Sequence, residues 1–151
     1  MSIRTFHWLA LFVLAGCALH QAVYAPVGWN KAAEGTYVLE RGDWALSMAP
    51  LVIDRSDRTL YPAIWARPGK HTIHVTDAEW RIGDRRFPAM DTGYRKDVVS
   101  TTYPLDLRWE VHRDNVSLID GLSAPSSIHL RMDVDGVVDD VDIPIRRIDR
   151  Y

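Results

Sequence analysis

The chain has 151 residues, 47% hydrophobic, 25% charged and 10% aromatic, with eighteen basic against twenty acidic side chains and a formal net charge of −2. That length suits one domain, and the mixture is that of an ordinary globular protein, which excludes collagen-like, coiled-coil and wholly disordered chains. No surplus of positive charge is available to grip a phosphate backbone, so general nucleic-acid binding is disfavoured, and one cysteine rules out a disulfide framework and a cysteine-based zinc site.

Arg4 is the only charge in the first sixteen residues, and an apolar run extends from Phe6 to Gly16. It is too short to span a bilayer, which takes about 20 apolar residues. A charged start, a short apolar centre and small residues at its end have the layout of a secretory signal. The run closes on Leu14-Ala15-Gly16-Cys17, which holds the only cysteine of the chain. This tetrapeptide resembles the lipobox of bacterial lipoproteins.

The resemblance covers roughly the first twenty residues and does not reach the fold that follows. It implies a signal peptide over residues 1–16, cleaved immediately before Cys17, and a diacylglyceryl group on the Cys17 thiol. Each buried methylene contributes about 0.8 kcal/mol, so several acyl chains of the palmitate type form a near-permanent membrane anchor. Ala18, rather than an aspartate, follows the cysteine. By the same resemblance this implies the bacterial outer membrane, with the domain facing the periplasm or exposed at the surface. The bland alternative, a buried cysteine beside an ordinary apolar helix, would give that helix no polar face.

Residues 17–34, the lipidated cysteine and a stretch of Ala, Pro, Gly, Gln and Asn without periodicity, read as a flexible tether. Fully extended, the tether would reach roughly 55 Å. Residues 35–151 read as an all-β domain. Expected strands are Thr36–Glu40, Trp44–Asp54 with a bend at Pro50, Leu60–Ala66, Val98–Thr102 and Val116–Ile119. Ile73 and Val75 share one face, as do Trp80 and Ile82. Leu105 to His112 alternates without a fault, with Leu105, Leu107, Trp109 and Val111 on the apolar side, as a half-buried strand does.

Two hairpins are placed by register. Asp135-Gly136 suits the positive φ angles of a two-residue turn. Pairing Val134 with Val137 sets Leu130 against Val141 and Ile128 against Ile143, with Arg131 against Asp140 and His129 against Asp142 on the other face. Gly83-Asp84 turns a second hairpin that opposes Trp80 and Phe87. Eight or nine short strands of this kind point to an antiparallel β-sandwich of immunoglobulin-like architecture, with a small barrel as the alternative.

Several residue groups suggest chemistry, and each has a plainer account. The acidic run from Asp133 to Asp142 has the oxygens for calcium, but valines interrupt it, no glutamate closes it, and the hairpin register pairs Asp140 and Asp142 with cations. His71 and His74, three apart in a strand, face opposite ways. His112 and His129 lie on polar faces of different strands. No metal site and no cofactor is assigned. There is no nucleophile elbow, zincin motif, phosphate loop or dinucleotide fingerprint, so no catalytic residue is assigned. Asp77, Glu79, Asp84 and Asp91 are carboxylates that any chain with twenty acidic residues offers.

Tryptophan is in surplus. Trp80 and Trp109 sit on apolar faces and belong to the core, whereas Trp29 and Trp65 are the candidates for exposure and for stacking on a ligand. Basic pairs at Arg85-Arg86, Arg95-Lys96 and Arg146-Arg147 read as solubilising surface, with anionic lipid or an acidic partner as the alternative. The leading functional reading is a lipid-anchored, non-catalytic envelope protein that binds a protein partner, as an accessory or assembly subunit or an inhibitor of immunity type. A glycan-binding module built on Trp29 and Trp65 is the second reading. A hydrolase whose groups meet only in three dimensions is the third.

Overall fold

The computed structural model describes residues 21–54, 57–90, 103–113, 116–117, 122 and 124–148. In chain order the first strands are β1 (Gln21–Pro26), β2 (Asn30–Lys31), β3 (Tyr37–Arg41), β4 (Trp44–Met48) and β5 (Leu51–Asp54). Then come β6 (Thr59–Leu60), β7 (Ile64–Arg67), β8 (Ile73–Ile82), β9 (Arg85–Pro88) and β10 (Tyr103–Leu105). The last are β11 (Trp109–Glu110), β12 (His112–Arg113), β13 (Val116–Ser117), β14 (Ser126–Val134) and β15 (Val137–Arg147).

All pairings among the described residues are antiparallel, and the fold is a β-sandwich. One sheet has six strands in the order β5-β1-β15-β14-β8-β9, and the other has five in the order β10-β7-β4-β3-β2. Two short ladders, β11 with β6 and β12 with β13, are also formed among the described residues. The strand division of six and five among the described residues is not the four-plus-three arrangement of an immunoglobulin constant domain.

Both sheets turn their apolar faces onto one core. Ile128, Leu130, Met132, Val141 and Ile143 from the first sheet meet Leu46, Met48, Ile64 and Ala66 from the second, all fully buried. The register expected for the β14–β15 hairpin is the register observed, from Ile128↔Ile143 to Val134↔Val137. Asp135 and Gly136 both have positive φ, 53° and 84°, as the tight turn requires. The second hairpin likewise sets Trp80 against Phe87.

Strand β8 keeps two apolar faces on one side by means of a bulge. Arg131 pairs with Asp77 and Met132 with Val75, so Thr76 is the extra residue, and its hydroxyl donates to the Arg131 carbonyl at 3.1 Å. The insertion shifts the phase by one residue, and so odd-numbered Ile73 and Val75 face the same core as even-numbered Ala78, Trp80 and Ile82.

The stretch read as tether differs most. Gln21–Pro26 is a strand between β5 and β15, with Tyr24, Ala25 and Pro26 buried, and Asn30–Lys31 edges the five-stranded sheet. Strand structure is therefore already present at residues 21–26, within the stretch read as tether. Strand β1 is made by pairing with residues far along the chain (Tyr24↔Leu51 and Tyr24↔Arg147), and six residues ending in proline carry little local signal of it.

Three expected strands are divided. At Ala49-Pro50 the chain leaves the five-stranded sheet and enters the six-stranded one, so the anticipated bend is a crossing between layers. Between β6 and β7, Pro62 cannot donate to a ladder, and the chain kinks so that the Ile64 N–H donates to the Pro62 carbonyl at 3.0 Å. Facing it, the Leu107 N–H turns back to the Leu105 carbonyl at 2.9 Å, which breaks Leu105–His112 into β10, β11 and β12. The alternation survives the break: Leu105, Leu107, Trp109 and Val111 are buried, while Asp106, Arg108 and Glu110 are exposed. Cys17, Asp91, Val98–Thr102 and residues 118–119 lie outside the described residues.

Candidate functional site

The outer face of the six-stranded sheet is where the charged side chains collect. Because β8, β14 and β15 alternate, burying one set of side chains presents the other set outward. His129 and Arg131 on β14 stand between Asp140 and Asp142 on β15 and Asp77, Glu79 and Arg81 on β8. Arg131 Nε donates to Asp140 Oδ1 at 3.0 Å, and His129 Nδ1 lies 2.9 Å from Asp142 Oδ1. Arg81 reaches both Glu79 and Asp142, the latter at 3.3 Å, and Arg86 on β9 donates to Glu79 at 2.7 Å.

Burial acts most strongly on Glu79 and pushes its carboxyl up, but the Arg81 and Arg86 guanidinium groups together hold it below the usual range. Hydrogen bonding between Arg131 and Asp140 raises the one and lowers the other. Exposed pairs of this kind contribute about 0–1 kcal/mol each to stability. Their larger effect is to fix a pattern of alternating sign on the outer sheet face, the feature by which protein partners select orientation and reject mismatched surfaces.

A second constellation closes one end of the sandwich, where three turns meet. His71, in the turn before β8, sits between two carboxylates. Its Nδ1 is 2.6 Å from Asp135 Oδ2 in the β14–β15 turn, and its Nε2 is 2.6 Å from Asp43 Oδ1 in the β3–β4 turn. Asp135 is fixed in place by accepting the Thr72 N–H at 2.8 Å and donating its own N–H to the Thr72 carbonyl at 3.0 Å. Gly69, with φ +61°, passes so close to the Asp43 carbonyl that a Cβ there would collide with it.

An ionised carboxylate only accepts hydrogen bonds, whereas a neutral imidazole has one donor. Holding both contacts therefore requires His71 to be imidazolium. The Asp135 and then the Asp43 hydrogen bond raise the His71 pKa above its ordinary 6.5. Asp135 is lowered by the Thr72 N–H and then by His71, and Asp43 chiefly by His71. The two carboxylates lie on opposite sides of the ring, a geometry that clamps two sheets rather than chelating one ion. Among the described residues no three His, Cys, Asp or Glu side chains are placed to share a metal.

The tryptophans divide as expected for two of them. Trp80 and Trp109 are fully buried and meet edge to face, centroids 5.5 Å apart, with Trp109 Nε1 donating to the Phe87 carbonyl at 2.9 Å. Trp29 is half-buried and packs against the core. Trp65, also half-buried, is on the outward face of β7 opposite Ser47 and Pro104. Strands β2 and β7 are three spacings apart, about 14 Å, so Trp29 and Trp65 are not brought together on one platform.

An open groove of about 430 Å³, lined by polar and apolar surface alike, runs between Phe87–Met90 and Trp109–Glu110. Sequence reasoning placed the hairpin ion pairs but missed the His71 clamp, whose partners are 28 and 64 residues away. The available signal was that each aspartate adjoins a glycine turn, Gly42-Asp43 and Asp135-Gly136. No family model, curated protein or solved structure matches the chain.

Proposed function

We propose that this chain is a lipid-anchored protein of the bacterial outer membrane whose β-sandwich binds a protein partner without catalysing a reaction. It serves as an accessory or assembly subunit, or as an inhibitor of immunity type. The observation that carries this reading is the Leu14-Ala15-Gly16-Cys17 box around the only cysteine of the chain. The charge-patterned outer face of β8, β14 and β15 supports it. There the titratable groups are spread over three strands and paired with one another, an arrangement suited to docking and not to gathering acid, base and nucleophile around one reacting atom.

The test is affinity capture of the intact lipidated protein from gently solubilised membranes, compared with Arg131→Glu and Asp142→Lys variants. A specific protein that is recovered with the native chain and lost with the charge-reversed ones supports the proposal. Recovery of none, or of the same set with every variant, contradicts it.

Trp65 favours a second reading, glycan binding, because it alone of the two candidate stacking residues stands on an outward sheet face. Intrinsic fluorescence titrated with peptidoglycan fragments and oligosaccharides tests it. Spectra unchanged across the panel remove it.

A further inference from the structure

The charged pattern of the six-stranded sheet stops at one corner. Across β5, β1 and the end of β15, Val52 is directly opposite Val23, and the Ile148 N–H donates to the Val23 carbonyl at 2.8 Å. Opposite residues of an antiparallel pair share a face, so Val52, Val23 and Ile148 form one row across three strands. The row lies on the outer side, because the inward positions beside it are Leu51, Ile53, Tyr24 and Ile145. Val52 is 52% and Ile148 38% exposed. Beside the row, Arg146 is exposed opposite buried Ala25, and Gln21 pairs with Asp54. Elsewhere this face carries Glu79, Arg81, His129, Arg131, Asp140 and Asp142, with Val138 beside the far turn.

Chain length fixes where this corner is in relation to the anchor. Gln21, the first residue of β1, is only four residue steps from Cys17. Even fully extended they span about 13–14 Å, a quarter of the reach that a tether to residue 34 would give. An acyl-bearing Cys17 at the bilayer surface therefore keeps the Gln21 end of β1 at headgroup depth, next to the exposed valine and isoleucine. The β14–β15 turn is at the other end: Ile148 and Val137 are eleven residues apart on one strand line, roughly 36 Å.

We infer that the Val52–Val23–Ile148 corner of the six-stranded sheet rests on the phospholipid surface that holds Cys17, and that the His71 end points away from the membrane. The inference depends on the lipoprotein reading. Aliphatic side chains at this depth enter the interface, and the Arg146 guanidinium meets lipid phosphate, as basic groups near anionic leaflets do. The ion-paired part of the face, which gains nothing from lipid, is left free for a protein partner.

The experiment uses the full lipidated chain in vesicles of phosphatidylethanolamine and phosphatidylglycerol. An environment-sensitive fluorophore is attached through Val52→Cys or, as the distal control, Val137→Cys, both exposed positions. Mass spectrometry of the same preparations reports the state of Cys17. With Cys17 acylated, the probe at 52 should shift to the blue and be quenched by headgroup-labelled lipid, while the probe at 137 does neither.

An acylated protein with both probes in water, or with both quenched alike, overturns the assigned orientation and leaves the anchor intact. An unmodified Cys17 overturns the lipoprotein reading and this inference together. Val52→Asp with Ile148→Asp should reduce the blue shift of a probe at Val23→Cys relative to the same probe without the aspartates, because the short link from Cys17 holds the corner near the headgroups but the aliphatic row is what enters the interface. An undiminished shift in that variant contradicts the assigned contact.

Discussion

Trp109→Phe is a stringent probe of how the core is assembled, because Trp109 links three elements at once. Its side chain is fully buried, its ring edge meets Trp80, and its Nε1 donates to the Phe87 carbonyl at 2.9 Å. Phenylalanine retains an aromatic contact with Trp80, so most of the 0.5–1.5 kcal/mol typical of such a pair survives. The hydrogen bond does not survive. Leaving a buried carbonyl without its donor costs about 1–3 kcal/mol. The volume removed, roughly 40 Å³, adds about 1 kcal/mol at 24 cal/mol per Å³ of cavity.

The sum is about 2–4 kcal/mol out of the 5–15 kcal/mol that holds a typical domain together. For a domain of this size that lowers Tm by about 10 °C. Urea unfolding followed by far-ultraviolet circular dichroism measures the change without relying on the indole removed. The midpoint should fall with the slope unchanged. Trp65→Phe, on a half-exposed face, should stay within about 0.5 kcal/mol of the native chain. A Trp109→Phe loss below about 0.5 kcal/mol, or equal losses for the two variants, would refute the reasoning.

Three further outcomes follow from the same structure. Leu130→Ala, at a position with no exposure, should cost about 3–5 kcal/mol, whereas Val138→Ala, 61% exposed, should be near neutral in the same denaturation assay. Gly69→Ala should destabilise more than Gly42→Ala: both have positive φ, but only the first drives a Cβ into the Asp43 carbonyl. The His71 clamp makes stability depend on pH with a definite sign. Because the His71 pKa is raised on folding, its contribution is complete below 6.5 and fades as pH rises through the higher folded value. Because Asp43 and Asp135 are lowered, theirs is present above 3.8 and fades as pH falls through the lower folded values. The difference in unfolding midpoint between the native chain and His71→Asn should therefore be largest between about pH 4 and pH 6.5. A difference that grows toward alkaline pH contradicts the clamp.

Legibility in the sequence followed the range of the interactions. The two hairpins were readable residue by residue, since a two-residue turn fixes register and each pair then tests the next, down to His129 with Asp142. The faces of Leu105 to Val111 were also readable, because alternation survives even where the ladder does not. The division of that segment was hidden, since it depends on Pro62 interrupting the partner strands. Strand β1 was hidden for a related reason: its partners are supplied by residues 51–54 and 145–147. The His71 clamp joins turns of both sheets, and the Val52–Val23–Ile148 row joins three strands of one sheet; each set is contiguous only once its strands have paired. Neither has a local pattern to read.

The most direct test of the whole account is the intact mass and N-terminal peptide of the protein isolated from its native membranes. The account predicts a chain that begins at Cys17, carries a thioether-linked diacylglyceryl group and partitions into detergent. A soluble, unmodified chain that still begins at Met1 would contradict it.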